Sequence, residues 1–408
     1  MPEPSLSHIL GFPGFGVERW KADKARGRLT LWLTRTGKVP YYTCSGCGIG
    51  TRYTRDHHER RVRDLPWATW TVWLVVPVAR VACRRCGVRT ERLPFLAGKP
   101  PRTARLEAAV AQDCAAAPVS RVAAKWGLAP TTVRRIDKRA LQQWAAGRPR
   151  RPIRYLGVDE IFLGKGTKFL TVVSNLEIGE PLWMGLERKR ETLDRFFAEA
   201  LPAARRRAVR AVCVDMWEPF VQSLRAHLPN ARIVYDKFHV LRHANTAVDE
   251  VRRAEFFRQG GAARGLVRGK RWLLLRRWAN LTPDERQTLQ ALFALNRRLW
   301  KAYLLKEQLE RLWDFTYEGA ARRFLTNWLR ALRWQRLPAF QQLGQLLTRH
   351  LDGILSYCHE KVPFGVVEAI NGNIRAMLRR GRGYRDHEYL LLKVQKATAD
   401  SRRFRMAA

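Results

Sequence analysis

Acidic residues are scarce in this chain of 408 residues. Asp and Glu total 36 against 76 Lys and Arg, which gives a formal net charge of +40. So large an excess of positive charge predicts a polyanionic partner. Nucleic acid is the first candidate, because neutralisation of phosphates by Lys and Arg supplies most non-specific binding. A membrane surface is the second candidate.

Long apolar runs and a disulfide framework are also missing. No apolar stretch reaches the roughly 20 residues that span a bilayer, and the N-terminus lacks the basic-then-apolar pattern of a signal peptide. The seven cysteines are an odd number, which argues against a set of disulfides. We therefore expect an intracellular, soluble protein of the cytoplasm that does not enter a membrane.

The pattern along the chain predicts an α+β protein of several domains. Short β-like runs with Gly and Pro turns fill residues 1–100, and residues 103–145 read as helices. A basic, proline-containing linker follows at 147–152. Three consecutive strands and then β-α-β units predict a mixed α/β sheet in the next part. From about 240 to 362 the pattern is helical, and a final helix is expected to start near Val366.

Two Cys-x-x-Cys pairs, Cys44/Cys47 and Cys83/Cys86, predict a metal site in the first region. A glycine follows each pair and permits the tight turn that points two sulfurs at one centre. Four thiolates suit a tetrahedral, structural Zn²⁺. The long segment between the pairs has to fold as a hairpin or a similar insert. Two unrelated, redox-active pairs are the alternative, and His57 or His58 could replace a cysteine as ligand.

Residues 118–136 have the form of a helix-turn-helix. Val122, Trp126, Leu128, Val133 and Ile136 supply an apolar core at helical spacing, with Gly127 at the turn and Pro130 at the start of the second helix. An ordinary helical hairpin with a basic surface is the alternative. We expect the second helix to enter the DNA major groove. The side chains predicted to face the DNA are Thr131, Thr132, Arg134, Arg135 and Lys138.

Asp159 and Asp215 each close a short apolar run that reads as a buried strand. Acids at strand ends commonly bind a hard cation through oxygen. Taken singly, each acid could instead be a cap or a surface ion pair. Glu368 is the best third partner, because it lies on an amphipathic helix that shares one stripe with Asn371, Arg375 and Arg379. That stripe could bind metal at one end and phosphates along the rest.

These residues resemble those of DDE-type insertion-sequence transposases, and more narrowly those of the L-three subgroup. The resemblance covers nearly the whole chain. It includes the cysteine pairs, the helix-turn-helix and a series of short motifs: Gly157–Glu160, Val214–Met216, Asp236–Val240, Glu368–Asn371 and Gly381–Arg385.

The resemblance implies a ribonuclease H-like catalytic core that is interrupted by a helical insertion. By this resemblance Asp159, Asp215 and Glu368 form a metal-binding triad. Asp236 and His239 are similar to an acid-x-x-His element of related transposases. The alternative is an Asp at a strand end and a His that caps a helix. Trp217 could stack on a base, but a core position is the simpler interpretation.

The expected function is therefore a DNA transposase that binds the inverted repeats of its element, cuts at their ends and joins them to target DNA. The cofactors are two Mg²⁺ or Mn²⁺ ions for each active site, with Zn²⁺ as a structural ion. The partner is double-stranded DNA, bound by a homodimer. The alternatives are a zinc-containing helix-turn-helix regulator without catalysis and a ribonuclease H-like nuclease or resolvase. The predicted domains are zinc-binding at 1–100, helix-turn-helix at 101–150, catalytic core at 151–240 and 363–408, and insertion at 241–362.

Overall fold

The chain divides into two units, residues 1–148 and 149–408. The computed structural model describes residues 11–37, 41–96, 98–149, 151–164, 169–258, 264–265, 267–381 and 383–407. Arg150 of the predicted linker and Arg382 of the Gly381–Arg385 motif lie outside these residues. Within them, no helix is both long and apolar enough to cross a membrane.

The first unit is built on a mixed five-stranded sheet with strand order β1-β2-β6-β5 and with β7 paired to β6. Strand β2 runs parallel to β6, and the other pairs are antiparallel. The hairpin of β5 and β6 is the insert that the long segment between the cysteine pairs requires. The strands are β1 Phe15–Asp23, β2 Arg28–Arg35, β3 Tyr42–Thr43, β4 Gly50–Thr51, β5 Thr54–Arg63, β6 Thr71–Cys83 and β7 Gly87–Thr90.

Three described helices complete this unit: α1 Ala104–Ala116, α2 Val119–Trp126 and α3 Pro130–Ala146. Val122, Val133 and Ile136 are buried with α1 in one apolar cluster, and Trp126 and Leu128 pack against it. This confirms the core predicted for the helix-turn-helix. Gly127 ends α2 with a φ of 56°, a conformation that costs other residues strain. Pro130 opens α3, where its missing N–H has no helical partner to lose.

The second unit contains a sheet with the strand order β10-β9-β8-β11-β12. Strands β8, β9 and β10 form an antiparallel meander, and β8, β11 and β12 run parallel. The strands are β8 Tyr155–Phe162, β9 Phe169–Asn175, β10 Glu180–Leu186, β11 Ala211–Val214 and β12 Arg232–Tyr235.

Helices cover both faces of this sheet. The described helices are α4 Arg190–Glu199, α5 Ala203–Arg206, α6 Glu218–His227, α7 Lys237–Arg258, α8 Arg271–Leu275, α9 Pro283–Leu295, α10 Arg297–Glu310, α11 Glu318–Leu332, α12 Pro338–Arg349, α13 Leu351–Leu355, α14 Phe364–Arg380 and α15 His387–Ala407. Short 3₁₀ turns lie at Trp278–Asn280, Arg311–Asp314 and Ser356–Cys358. The expected helical segment after residue 240 is present.

Two expectations about this unit were wrong in detail. Helix α14 is not the final helix, because α15 follows it and packs on β10. Asp159 does not end its strand, because β8 continues to Phe162 in its pairing with β9. The parallel pairing of β8 with β11 stops at Gly157, however. Asp159 therefore lies just beyond the end of β11, where one side of β8 has no neighbouring strand.

Candidate functional site

Asp159 lies at the point where α14 crosses β8. Its Oδ2 accepts a hydrogen bond from Nδ2 of Asn371 at 2.5 Å, and its Oδ1 accepts one from the backbone N–H of Glu160 at 2.8 Å. Burial raises the pKa of Asp159, and the positive charge of His239 opposes that rise. A partly desolvated carboxylate that is held on both oxygens is a suitable ligand for a cation.

Gly157 explains how the helix comes so close to this strand. A Cβ at this position would lie 2.6 Å from Leu176 and 3.0 Å from Val367 of α14. A larger residue here would have to displace the side chains of Leu176 and Val367, so the glycine favours the close packing of α14 on β8. This close approach brings Asn371 to Asp159, although the two residues are 212 positions apart in the chain.

Asp215 follows the last residue of β11 and is buried. Its Oδ1 accepts a hydrogen bond from the backbone N–H of Trp217 at 3.1 Å. Its Oδ2 accepts one from the guanidinium of Arg188, which also lies 4.4 Å from the centre of the Trp217 ring. Trp217 is 39% exposed, so it forms part of the wall of the site and does not belong to the core.

Arg188 joins Asp215 to a further carboxylate, that of Glu160. Its Nε lies 3.1 Å from Oε1 of Glu160. Burial and the charge of Asp215 raise the pKa of Glu160 to about 7, against the opposing charge of Arg188. The second oxygen of Glu160 is buried and has no hydrogen-bond partner among the described residues.

Asp236 and His239 lie at the junction of β12 and α7. Oδ1 of Asp236 accepts a hydrogen bond from the backbone N–H of Phe238 at 2.8 Å, so this acid does cap the helix. The His239 ring bridges two acids, with Nδ1 3.4 Å from Asp236 and Nε2 3.8 Å from Asp159. Burial alone would lower the pKa of His239, but the hydrogen bond to Asp236 and the nearby carboxylates raise it above its ordinary value.

Glu368 lies one turn before Asn371 on α14, and its side chain is exposed. Arg375 and Arg379 are exposed on the same helix. Asn371 departs from the expected polar stripe, because it is only 2% exposed and faces Asp159. Its carbonyl oxygen is buried without a hydrogen-bond partner within the described part of the chain.

The structure therefore assembles Asp159, Asp215, Asp236, His239 and Asn371 around the end of β11. Sequence reasoning did not assign roles to Glu160, although it lies in a quoted motif, or to Arg188. Arg188 is one of 76 basic residues and has no spacing that would single it out. Glu368 stays at the surface: among the described residues, the one group of three or more Cys, His, Asp or Glu with all ligand atoms within 4.8 Å is the cysteine cluster.

That cluster consists of Cys44, Cys47, Cys83 and Cys86. The turn after Cys44 and the hairpin end at Cys83 bring the sulfurs together, and Cys47 lies 3.6 Å from Cys83. The hydrogen bond to Cys47 and its charge raise the pKa of Cys86 to about 12, because adjacent thiolates repel one another. A divalent cation removes that repulsion, so the donor set fits Zn²⁺. His57 bonds the hydroxyl of Tyr42 at 3.0 Å and does not join the sulfurs.

Helix α3 exposes part of the predicted DNA-reading set. Thr131, Arg134 and Arg135 are exposed, whereas Thr132 and Lys138 are half-buried. The helices are joined firmly to the sheet of the same unit. Arg63 of β5 donates to the carbonyls of Trp126 and Gly127, at 2.6 and 3.2 Å.

Comparisons with known proteins cover nearly the whole length of the chain. Residues 156–394 match the model of a transposase family, the DDE group of ISL3. Residues 91–141 match the helix-turn-helix domain of transposase family ISL3, and residues 40–86 match the zinc-finger of transposases IS204, IS1001, IS1096 and IS1165.

Individual relatives agree with these matches. The chain is 36% identical over 398 residues to the transposase for insertion sequence element IS1001 of Bordetella parapertussis, over 96% of this chain and 97% of that protein. It is 26% identical over 414 residues to the transposase for insertion sequence element IS1557 of Mycobacterium tuberculosis, over 95% of this chain and 92% of that protein.

Proposed function

Because the chain belongs to the ISL3 family of transposases and is therefore a DNA transposase, we propose that Asp159, Asp215 and Glu368 form its catalytic site. In this proposal the three acids hold two Mg²⁺ or Mn²⁺ ions. One observation carries it: the fold brings Asp159, Asp215 and Asn371 together at one end of the sheet from three distant segments.

The donor set at this end of the sheet fits a hard divalent cation. Mg²⁺ prefers carboxylate and amide oxygens. Buried oxygens normally have a partner, yet Glu160 Oε2 and Asn371 Oδ1 have none within the described residues. Two unsatisfied acceptors beside Asp159 and Asp215 are the arrangement that a bound cation with its waters would complete.

The chain's own residues then have separate tasks. Asn371 orients the Asp159 carboxylate, and Glu368 supplies the third carboxylate from the exposed side of α14. His239 holds a proton between the Asp159 and Asp236 carboxylates, within reach of a phosphate oxygen bound there. Divalent ions at this position would activate the attacking oxygen and stabilise the leaving oxygen of the phosphodiester.

The DNA-binding roles follow from charge and position. Thr131, Thr132, Arg134, Arg135 and Lys138 of α3 would read the inverted repeat in the major groove. Arg375 and Arg379, exposed on the helix of Glu368, would contact phosphates near the scissile bond. Cys44, Cys47, Cys83 and Cys86 would hold the structural Zn²⁺ that fixes the end of the β5–β6 hairpin.

The architecture of the second unit supports a ribonuclease H-like core. An antiparallel meander followed by two parallel strands, with acids after β11 and beside its end, agrees with the fold that the family resemblance implies. We assign residues 151–240 and 363–408 to this core and 241–362 to the helical insertion. Residues 1–100 and 101–150 form the zinc-binding and helix-turn-helix domains. A homodimer would supply one active site for each of the two ends.

The decisive experiment compares acid substitutions on labelled element ends in the presence of Mg²⁺ or Mn²⁺. Asp159→Asn, Asp215→Asn and Glu368→Gln should lower cleavage at least a hundredfold while end binding persists. They should also weaken Mn²⁺ binding, measured by electron paramagnetic resonance. Glu250→Gln, an exposed acid of α7, is the matched control.

Cleavage at the wild-type rate by any of the three variants would remove that acid from the proposed site. Joining of the ends to a second duplex by the wild-type protein separates a transposase from a nuclease or resolvase, which stops after cleavage. The non-catalytic regulator is not favoured by the family match to the catalytic region.

A further inference from the structure

Among the described residues, one face of the sheet in the first unit is open. Residues alternate along its strands, so that Leu29, Leu31 and Leu33 of β2 are buried and Arg28, Thr30 and Trp32 are not. The same alternation holds in β6, where Val72 and Leu74 are buried and Trp73 lies opposite. The buried face forms an apolar cluster with the segment around Leu93 and Leu96. None of the described helices packs extensively on the other face.

The open face carries two tryptophans, each beside a cation. Trp32 lies 4.2 Å from the guanidinium carbon of Arg19, and Trp73 lies 5.0 Å from that of Arg61 and 5.7 Å from that of Arg28. The two rings stand on neighbouring strands, two positions apart in register, because Thr30 pairs with Trp73. Strand geometry places their Cα atoms about 8 Å apart.

Charge on this face is strongly positive. The register places Lys21 next to Thr30, and Arg63 directly across from Trp73. Two acids lie on the same face: Asp23, which accepts a hydrogen bond from the backbone N–H of Arg26 at 3.1 Å, and Glu59. Basic residues interleaved with aromatic rings on an open surface are complementary to phosphates and bases together.

The open face is continuous with the helix-turn-helix. Arg63 projects from it and donates to the carbonyls of Trp126 and Gly127 at the turn between α2 and α3. The turn of the helix-turn-helix therefore lies close to one edge of this sheet.

We propose that the open face of this sheet binds an unpaired stretch of DNA, with bases stacked on Trp32 and Trp73 and with phosphates bound by Arg19, Arg28 and Arg61. Unpaired bases present their faces to indole rings, whereas the faces of bases inside a duplex are covered by the neighbouring base pairs. An enzyme that cuts and joins DNA strands handles such segments beside the ends it holds. The proposal rests on the transposase activity and not on the assignment of the catalytic acids.

The first test uses the full-length wild-type protein and an oligothymidine that carries 5-iodouracil. Irradiation should attach the oligonucleotide to the peptides that contain Trp32 and Trp73, as identified by mass spectrometry. Asp159→Asn should give the same crosslinks, because the crosslinks do not depend on the catalytic acids. The cleavage assay tests those acids separately. Absence of crosslinks at both tryptophans would overturn the proposal.

The second test measures affinity for a labelled oligothymidine and for a duplex element end. Trp32→Ala combined with Trp73→Ala should weaken oligothymidine binding about tenfold or more, with duplex binding unchanged. Trp20→Ala is the matched control, because Trp20 is 60% exposed on β1 but pairs with Leu31 of the buried face. Equal weakening of oligothymidine and duplex binding, or an equal effect in the control, would contradict a single-strand site.

A third variant changes the arginines of the open face and leaves the tryptophans in place. Arg19→Gln combined with Arg61→Gln changes two side chains that are not buried and leaves both rings in place. Oligothymidine binding by this variant should depend less steeply on salt, because each arginine that no longer neutralises a phosphate makes the slope shallower by about 0.7. An unchanged slope would exclude these arginines from phosphate binding.

Discussion

At the scale of the residue, Arg188 is the side chain that the sequence could not single out and that lies between two carboxylates of the proposed catalytic site. Its guanidinium contacts Asp215 and Glu160 and lies on the ring of Trp217. It therefore supplies the positive charge that the buried Asp215 carboxylate and the half-buried Glu160 carboxylate need in the absence of another cation. Asp215 and Glu160 would otherwise repel each other in a poorly hydrated site.

Arg188→Gln should destabilise the metal-free protein by roughly 3–5 kcal/mol, because it leaves buried carboxylates without their counter-charge. Added Mg²⁺ should restore much of this stability, since a cation can then neutralise the same acids. Urea denaturation with and without Mg²⁺ measures both effects. Arg195→Gln, an exposed arginine of α4, is the control and should change stability little. The same destabilisation with and without Mg²⁺ would argue against a shared cation site.

At the scale of the element, a buried acid fixes the start of α1, the helix that packs against the helix-turn-helix, to the sheet. Asp64 follows β5 and is 2% exposed. It accepts hydrogen bonds from Thr103 Oγ1 at 2.7 Å and from Arg105 Nε at 2.8 Å. Thr103 is also the N-cap of α1 and accepts from Leu106 N. The start of the helical domain and the end of a strand are thus fixed by the same carboxylate.

Asp64→Asn should cost about 3–5 kcal/mol, because it removes the charge of a buried ion pair and one of its acceptors. The effect should appear as lower stability of the first unit and as weaker binding to element ends. Asp56→Asn is the matched control, since Asp56 pairs with Arg80 at 3.1 Å on the surface. Exposed pairs contribute about 0–1 kcal/mol, so equal effects of the two substitutions would contradict the role of Asp64.

The elements also show which sequence predictions were sound. Periodicity and turn residues predicted the strands, the helix-turn-helix and the helix of Glu368, because each pattern reports the local geometry of the backbone. They failed at the end of β8 and after α14. The end of a strand depends on the strands that pair with it. The pairing of β8 with β11 ends at Gly157, but its pairing with β9 continues to Phe162.

At the scale of the whole molecule, the net charge is +40, and only 36 residues are acidic. Asp159, Asp215, Asp236 and Glu160 converge in one place, where the positive field is locally reversed. Basic residues on α3, on α14 and on the open sheet face are exposed to solvent, where phosphates can reach them. The overall charge favours DNA binding, and the proposed Mg²⁺ or Mn²⁺ ions would bind where these four acids converge.

Binding to element ends should therefore weaken steeply with salt, with a slope of about −0.9 for each phosphate that is neutralised. Arg375→Gln and Arg379→Gln, which remove the arginines proposed to contact phosphates, should each make that slope shallower by about one unit. Fluorescence anisotropy over a series of salt concentrations measures the slope. A flat dependence would contradict the interpretation of the net charge as a DNA-binding surface.

The sequence by itself determined the local elements, the zinc-type cysteine pairs and the family, because these depend on residue type and spacing. Only the tertiary structure decided which distant residues share a site. In the fold, Asn371 points inward and contacts Asp159, and Glu160 and Arg188 lie beside the predicted acids. One face of the first sheet carries tryptophans beside arginines. The physical reason is that helix packing, strand register and burial join residues far apart in the chain, and no local pattern records those distances.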